Sequence, residues 1–319
     1  MNVGVLAPRL KPLDARKFVD PQVTLDGKVR ATVALASVRT LWFNTGTLCN
    51  LTCANCYIES SPRNDRLAYL AVADVEPYLD ELHAAGEADA EIGLTGGEPF
   101  MNPALIEILD LVLSRGHRAL VLTNAMRPMM KCKAALLALR ERHGDRLALR
   151  VSLDHYDEEH HAEERGARSW RVTLDGLAWL ARNDFRVQVA GRTRWDETEV
   201  ALRGGYARLF AELGLGLDAH DLRALVLFPE MDAGIDVPEI SEACWAILGK
   251  RPDAMMCATS RMVVKPKGEA QARITPCTLL AYDDRFVMGA TLAEARRPVA
   301  LNHPHCARFC VLGGGSCGA

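Results

Sequence analysis

The sequence has no excess of charge of either sign. Its 319 residues carry 38 Lys plus Arg against 41 Asp plus Glu, a formal net charge of −3. That balance argues against a protein that binds nucleic acid by neutralising phosphates. It also lacks any apolar run approaching the ~20 residues of a membrane span, so no membrane partner is expected. The opening stretch, MNVGVLAPRLKPLDARKFVD, lacks the apolar core of a secretory signal and contains two prolines. Export is therefore not expected, and the cytoplasm is the expected location. No repeat of solenoid period and no low-complexity segment is visible. What remains is an ordinary globular composition, 49% hydrophobic and 25% charged. Length allows roughly two domains of about 150 residues, or one large α/β barrel.

Cysteine is the unusual component. There are ten, unevenly spread. Cys49, Cys53 and Cys56 fall within eight residues, and Cys257, Cys277, Cys306, Cys310 and Cys317 lie in the last 63. In a reducing compartment, clustered cysteines more often bind metal or do chemistry than form disulfides. Cys132 and Cys244 stand alone on helical patterns and read as buried apolar residues.

Residues 1–36 form an irregular arm with a short hairpin expected around Asp26-Gly27. Short apolar runs then predict strands at Val38–Phe43, Glu91–Leu94, Ala119–Leu122, Leu147–Leu153, Phe185–Ala190 and Ala224–Phe228. Helical patterns separate them: Asp74–Ala85, Pro103–Arg115, Lys131–His143, Ser169–Arg182 (with Val172, Leu174, Leu177 and Leu180 on one face) and Glu199–Leu213. Strand and helix repeated about six times predict a parallel sheet in a partial (βα)6 barrel, over residues 37–234. Chemistry in such a fold gathers at the carboxyl ends of the strands. From residue 235 onward the rhythm changes. A helix is expected at Pro238–Leu248. Arg261–Lys265 and Ala272–Thr275 flank Pro266-Lys267-Gly268, which signals a hairpin. This C-terminal unit, residues 235–319, has little core of its own and would gain from a metal staple.

The sharpest motif is Cys49-x3-Cys53-x2-Cys56, followed by Tyr57 and placed after the first barrel strand. Three close thiolates can hold three irons of a four-iron cube and leave the fourth open to a ligand. A zinc site is the alternative, although zinc loops favour C-x2-C pairs with a distant second pair. The second motif is Thr95-Gly96-Gly97-Glu98-Pro99, after the second strand. Its glycines permit close approach of backbone to a ligand. Glu98 offers a carboxylate to an ammonium group, and Pro99 holds Glu98 extended.

Together these motifs resemble the radical SAM superfamily. The resemblance implies a partial barrel whose cysteine loop holds a 4Fe–4S cluster, with S-adenosylmethionine on the open iron and its amine near Glu98. The residue before the third cysteine, commonly aromatic or His in that family, is Asn55 here, and Tyr57 follows. Asn124, Ser152 and Arg165 resemble the family's further cofactor contacts, with Arg165 facing the methionine carboxylate. Plainer alternatives are a turn role for Asn124 and a solvated charge for Arg165. Arg192, Thr193 and Arg194 end the fifth strand and face the cofactor, an acidic substrate or the rim.

The C-terminal cysteines resemble auxiliary-cluster domains of the SPASM or twitch type. On that resemblance one auxiliary 4Fe–4S cluster is expected on Cys257, Cys277, Cys317 and one of Cys306 or Cys310. A structural zinc site is the alternative, which His303 and His305 would suit.

The implied chemistry is reductive cleavage of S-adenosylmethionine to a 5′-deoxyadenosyl radical that takes a hydrogen atom from a substrate. A low-potential donor such as flavodoxin or ferredoxin would supply the electron. A short arm favours a small molecule or short peptide as substrate, with net oxidation assisted by the auxiliary cluster. The alternative enzyme is a SPASM-type peptide- or protein-modifying maturase. The non-enzyme alternative is an iron–sulfur or zinc redox sensor or electron carrier. Substrate-side candidates at the strand ends are Asp154, His155, Tyr156, Arg194, Glu230 and Asp232.

Overall fold

The computed structural model describes residues 11–229 and 231–315. Glu230 and Cys317, both expected site residues, lie outside the described residues.

Six strands run parallel in chain order: β2 (Thr40–Asn44), β3 (Glu91–Thr95), β4 (Ala119–Thr123), β5 (Leu147–Ser152), β6 (Arg186–Arg192) and β7 (Leu225–Phe228). Each of the six lies within two residues of its sequence expectation. β2 and β3 are buried along their whole length, as expected of strands covered on both faces. The connecting helices are α1 (Val72–Ala84), α2 (Leu105–Ser114), α3 (Arg127–Lys131), α4 (Lys133–His143), α5 (Glu158–Arg165), α6 (Trp170–Arg182) and α7 (Glu199–Glu212). α2 shows why they form. Leu105, Ile108, Leu109, Val112 and Leu113 are all buried on it, the i, i+3, i+4 stripe of a helix laid on a sheet. Truncating Leu109 to Ala would cost about 2–5 kcal/mol.

The sheet does not close into a barrel. Its order is β7-β6-β5-β4-β3-β2-β8-β9, where β8 is Ser260–Val264 and β9 is Arg273–Thr275. The expected hairpin is present, with β8 and β9 antiparallel. Its first strand pairs parallel with β2, Thr40 opposite Ser260, so the hairpin extends the barrel sheet. The arm also packs on the C-terminal unit. β1 (Thr32–Val33) pairs antiparallel with β10 (Val299–Ala300). The turn at Asp26-Gly27 is present, with Val23 bridged to Val29 and Gly27 at φ +78°.

Four expectations need correction. The segment expected as a helix over Pro238–Leu248 is helical only at α8 (Cys244–Leu248). The one helix expected over Lys131–His143 is two, broken at Cys132, whose φ −95° and ψ 11° leave the helical region. Cys132 and Cys244 are half-buried. Val172 on α6 is 38% exposed, while Thr173, Leu174, Leu177 and Leu180 are buried. α5 was not expected, because Glu-Glu-His-His-Ala-Glu-Glu-Arg has no apolar stripe. Its start is set by Asp157, whose carboxylate accepts from the amides of Glu159 and His160, and Gly166 at φ +84° ends it.

Candidate functional site

The carboxyl ends of the strands enclose one cavity of about 930 Å³, open to solvent. The loop after β2 supplies Cys49, Cys53, Cys56 and Tyr57. The end of β3 supplies Thr95, Gly96, Gly97 and Glu98. Asn124 follows β4, Ser152 ends β5, Arg165 ends α5 and Arg192 ends β6. Every residue expected to hold the cluster of the first motif or S-adenosylmethionine therefore lines this one cavity.

The cysteine loop is fastened to the end of β3 by backbone. The Gly97 amide donates to the Gly46 carbonyl at 2.8 Å, and the Glu98 amide to Leu48 at 3.1 Å. A Cβ on Gly96 would sit 2.4 Å from the Gly46 oxygen, and one on Gly97 2.1 Å from the Leu48 oxygen. The glycine doublet thus admits the cysteine loop itself, a close approach that only glycine permits. Gly96 also has φ +135°, which penalises any side chain.

Glu98 is extended, with φ −110° and ψ 110°, as Pro99 requires. It is 2% exposed. Its Oε1 accepts from the Thr123 hydroxyl at 2.8 Å and the Phe100 amide at 3.2 Å, and its Oε2 from the Asn124 amide at 2.9 Å. Burial pushes its carboxyl up to about 7 in spite of these donors. Asn124 in turn donates to the Asn50 side chain at 2.9 Å, tying β4 to the cysteine loop.

Arg165 forms a two-point pair with Asp154, Nε to Oδ2 at 2.7 Å and Nη2 to Oδ1 at 3.2 Å. Burial alone would raise the Asp154 carboxyl, but the Arg165 and Arg192 guanidinium groups hold it below its usual range. Among the described residues neither Nη1 of Arg165 nor the Ser152 hydroxyl has a protein partner, and both line the cavity, where a ligand could take them up. Glu164 went unseen in the sequence. It is 2% exposed and accepts from Asn55 at 2.8 Å, Arg192 at 3.3 Å and Arg194 at 2.8 Å. Its backbone carbonyl accepts from the Ala54 amide at 2.8 Å. It is the anchor between the cysteine loop and the end of β6, and it explains Asn55 before the third cysteine: the amide reaches a carboxylate. The signal was a Glu beside Arg165 at the end of a capped helix.

The other strand-end candidates fall elsewhere. His155 and Tyr156 do not line the cavity. They share Glu197, His155 Nε2 at 2.6 Å from its carboxylate and the Tyr156 hydroxyl donating at 2.7 Å. Arg194 is 38% exposed and turned to Glu164. Asp232 is exposed and accepts from the Gly234 amide at 2.7 Å. Among the described residues of that group, only Asp154 lines the cavity.

The thiols suit an iron cluster. All nine described cysteines are free of disulfides. The Leu51 amide points at Cys49 Sγ and the Ser60 amide at Cys56 Sγ, each at 3.4 Å, the kind of N–H···S contact that stabilises a ligating thiolate. Burial pushes the Cys49 thiol up to about 12; metal binding is what favours its thiolate. A tetrahedral zinc would need sulfurs about 3.8 Å apart. Among the described residues the trio gathered within 4.8 Å is His155, Asp157 and His160, not a cysteine set.

A second, apolar cavity of about 370 Å³ is lined by Cys257, Cys277, Cys306 and Cys310, with His305 beside them. Cys257 precedes β8 and Cys277 follows β9. Cys306 and Cys310 lie four residues apart on a π-helical segment, Cys306–Leu312. Both of the cysteines treated as alternatives in the sequence thus reach the same cavity. Between the two cysteine cavities lies an open space of about 790 Å³ lined by Tyr57, Ile58, Tyr282, His303 and His305, among others. Among the described residues, no helix is long and apolar enough to cross a membrane.

Residues 43–193 match the family model of the Radical SAM superfamily. The chain is 28% identical over 259 residues to the antilisterial bacteriocin subtilosin biosynthesis protein AlbA of Bacillus subtilis (strain 168), which covers 76% of this chain and 54% of that protein. The chain thus spans about half the length of the curated relative it matches. Among solved structures, Streptococcus suis SuiB bound to S-adenosylmethionine superposes with a TM-score of 0.58 at 12% identity, over 80% of this chain and 64% of that one. SuiB bound to its precursor peptide SuiA gives 0.59 at 13% identity, over 81% and 63%. Native anSMEcpe with bound AdoMet gives 0.56 at 14% identity, over 80% and 79%. These structural likenesses concern the fold.

Proposed function

We propose that this chain, a radical SAM enzyme, modifies a peptide and carries an auxiliary cluster on Cys257, Cys277, Cys306 and Cys310. The observation that carries the reading is the pair of separate cysteine cavities, three thiols among polar ligand groups and four in an apolar setting. The peptide half rests on the names of the relatives: one takes part in the biosynthesis of a bacteriocin, and the other is bound to a precursor peptide. These favour the maturase alternative over the small-molecule substrate expected from the short arm.

Cys49, Cys53 and Cys56 would hold the first 4Fe–4S cluster, which supplies the electron for reductive cleavage of S-adenosylmethionine. The chain's own groups do the orienting. Glu98, already held by three donors, has one lone-pair position left for an ammonium group. Arg165 Nη1 and the Ser152 hydroxyl are placed to hold a carboxylate. Asp154 fixes the Arg165 plane, and Glu164 fixes Arg192 and the cysteine loop. The four thiols of the second cavity would hold a cluster able to take an electron from the substrate.

Anaerobically reconstituted, dithionite-reduced protein is expected to release 5′-deoxyadenosine, and Cys53→Ala to lose that activity with its fold kept. Iron analysis is expected to give about eight irons per chain, two cubes. The Cys49, Cys53, Cys56 triple alanine variant should retain about half. No iron in that variant would rule out the auxiliary cluster. For the substrate, deuterated candidate peptides should pass deuterium into 5′-deoxyadenosine; transfer only from small metabolites would return the reading to a small molecule.

A further inference from the structure

A further cavity, about 1820 Å³ and open to solvent, lies at the amino ends of the strands and is unlike those lined by cysteines. Arg39, Arg118, Arg186 and Arg223 line it, at the starts of β2, β4, β6 and β7. All four are exposed. Elsewhere Arg115, Arg142 and Arg285 sit in ion pairs, but among the described residues these four guanidinium groups have neither an ion pair nor a hydrogen bond. In a chain of net charge −3, such a concentration of unneutralised cations focuses a positive field on one opening.

The cavity also has a direction. β7 is the last strand of the sheet and pairs only with β6 among the described residues. Leu225, Val226 and Leu227 of β7 line the cavity, which continues to Thr193 and Pro229 beyond the carboxyl ends of β6 and β7. Their chain neighbours Arg192 and Phe228 line the upper cavity. Four residues of extended chain, about 13 Å, thus lead from the arginine mouth to the rim of the reaction site. Near the mouth Glu91, 7% exposed, has an Oε1 with no hydrogen-bond partner.

We propose that this groove docks an extended acidic peptide segment, carboxylates on the arginines and backbone along the free edge of β7, so that the adjoining residues reach the upper cavity. The inference rests on the peptide reading above and names the chemistry of the part recognised. An added strand supplies the N–H donors that a sheet edge and an orphan carboxylate accept. A nucleic-acid backbone supplies none, since its phosphodiesters carry no N–H to lay along the edge.

The test is fluorescence anisotropy on the iron-loaded protein with a fluorescein-labelled peptide of alternating Glu and Ala. The same peptide with Gln for Glu, and an oligothymidylate of equal charge, are the comparisons. The acidic probe is expected to bind, to weaken as salt rises, and to lose at least about tenfold in affinity in Arg118→Ser/Arg186→Ser, about 1.4 kcal/mol. Uncoupled cleavage of S-adenosylmethionine should be unchanged in that variant. Failure of the probe to bind wild type, equal binding to the variant, equal binding of the Gln peptide, or tighter binding of the oligothymidylate would each overturn the groove. If the probe binds as described but no peptide is ever modified, the peptide-maturase reading fails and the groove stands. If peptides are modified with unchanged KM in the double variant, the groove fails and the reading stands.

Discussion

At Glu98 a carboxyl group sits where water scarcely reaches, and the consequence is a pH dependence with a definite sign. Its folded value of about 7 lies above the ordinary 4.5. Between these values the folded chain keeps a proton that the unfolded chain has lost, so stability falls as pH rises through this window, by up to about 3 kcal/mol. Asp154 acts in a separate window: its lowered carboxyl contributes stability that is lost as pH falls below the ordinary 3.8. Urea unfolding of the iron-free protein between about pH 5 and pH 7 should show the Glu98 slope, and Glu98→Gln should flatten it. An unchanged slope in the variant would assign the effect to another group. The residues of this site were legible to different degrees. Cys49, Cys53, Cys56 and Glu98 have side-chain chemistry and spacing that announce a ligand. The glycines were read correctly as a close approach, but the visitor is the cysteine loop. Glu164 escaped notice because its partners, Asn55, Arg192 and Arg194, are remote in sequence and meet only through the barrel.

The elements explain why the motifs work as a unit. The end of β3 and the loop after β2 touch through backbone at Gly96 and Gly97, so a methyl group there should act on iron binding at a distance from any thiol. Gly97→Ala is expected to lose the iron held by the loop, about half the total, and with it 5′-deoxyadenosine formation. Gly116→Ala is the control. Gly116 has φ +91° with nothing within 4 Å of an added Cβ, so it should cost only about 1 kcal/mol and keep its iron. Equal iron in both variants would contradict the clamp. The six barrel strands were readable because parallel strands, covered on both faces, are continuous apolar runs bounded by turn residues. α5 was not, because its eight residues carry no apolar stripe and its placement comes from Asp157 at one end and the Glu164 and Arg165 contacts at the other. The shortfall at Pro238–Leu248 has the opposite cause. Apolar Val237 and Ile240 are buried, but their backbone serves the arm: the Ala31 amide donates to the Ile240 carbonyl at 2.9 Å.

On the scale of the whole molecule, the arm and the C-terminal unit are joined through a buried ion pair. Arg30 and Glu239 meet at 2.5 Å with side chains 1% and 5% exposed. Glu239 also accepts from the amides of Phe18 and Leu25, each at 2.6 Å. Removing one partner of such a pair strands the other, at a cost of about 3–5 kcal/mol. Glu239→Ala should therefore lower the midpoint of urea unfolding markedly, and a change within about 0.5 kcal/mol would show that the arm is dispensable to stability. The sequence suggested an arm and a separate C-terminal unit, and the strands bind them more closely: β1 pairs with β10, and β8 adds to the barrel sheet beside β2. Pairings between distant segments of two or five residues leave no local pattern, so only the three-dimensional arrangement reveals them.

The measurement that bears most directly on the account is the electron paramagnetic resonance spectrum of the reconstituted, dithionite-reduced protein, with and without S-adenosylmethionine. Two cluster signals are expected. One should shift when S-adenosylmethionine is added and be absent from the Cys49, Cys53, Cys56 triple alanine variant, and the other should be indifferent to both. A single signal, or two that S-adenosylmethionine leaves untouched, would contradict a site built from three thiols with an open iron beside a second site built from four.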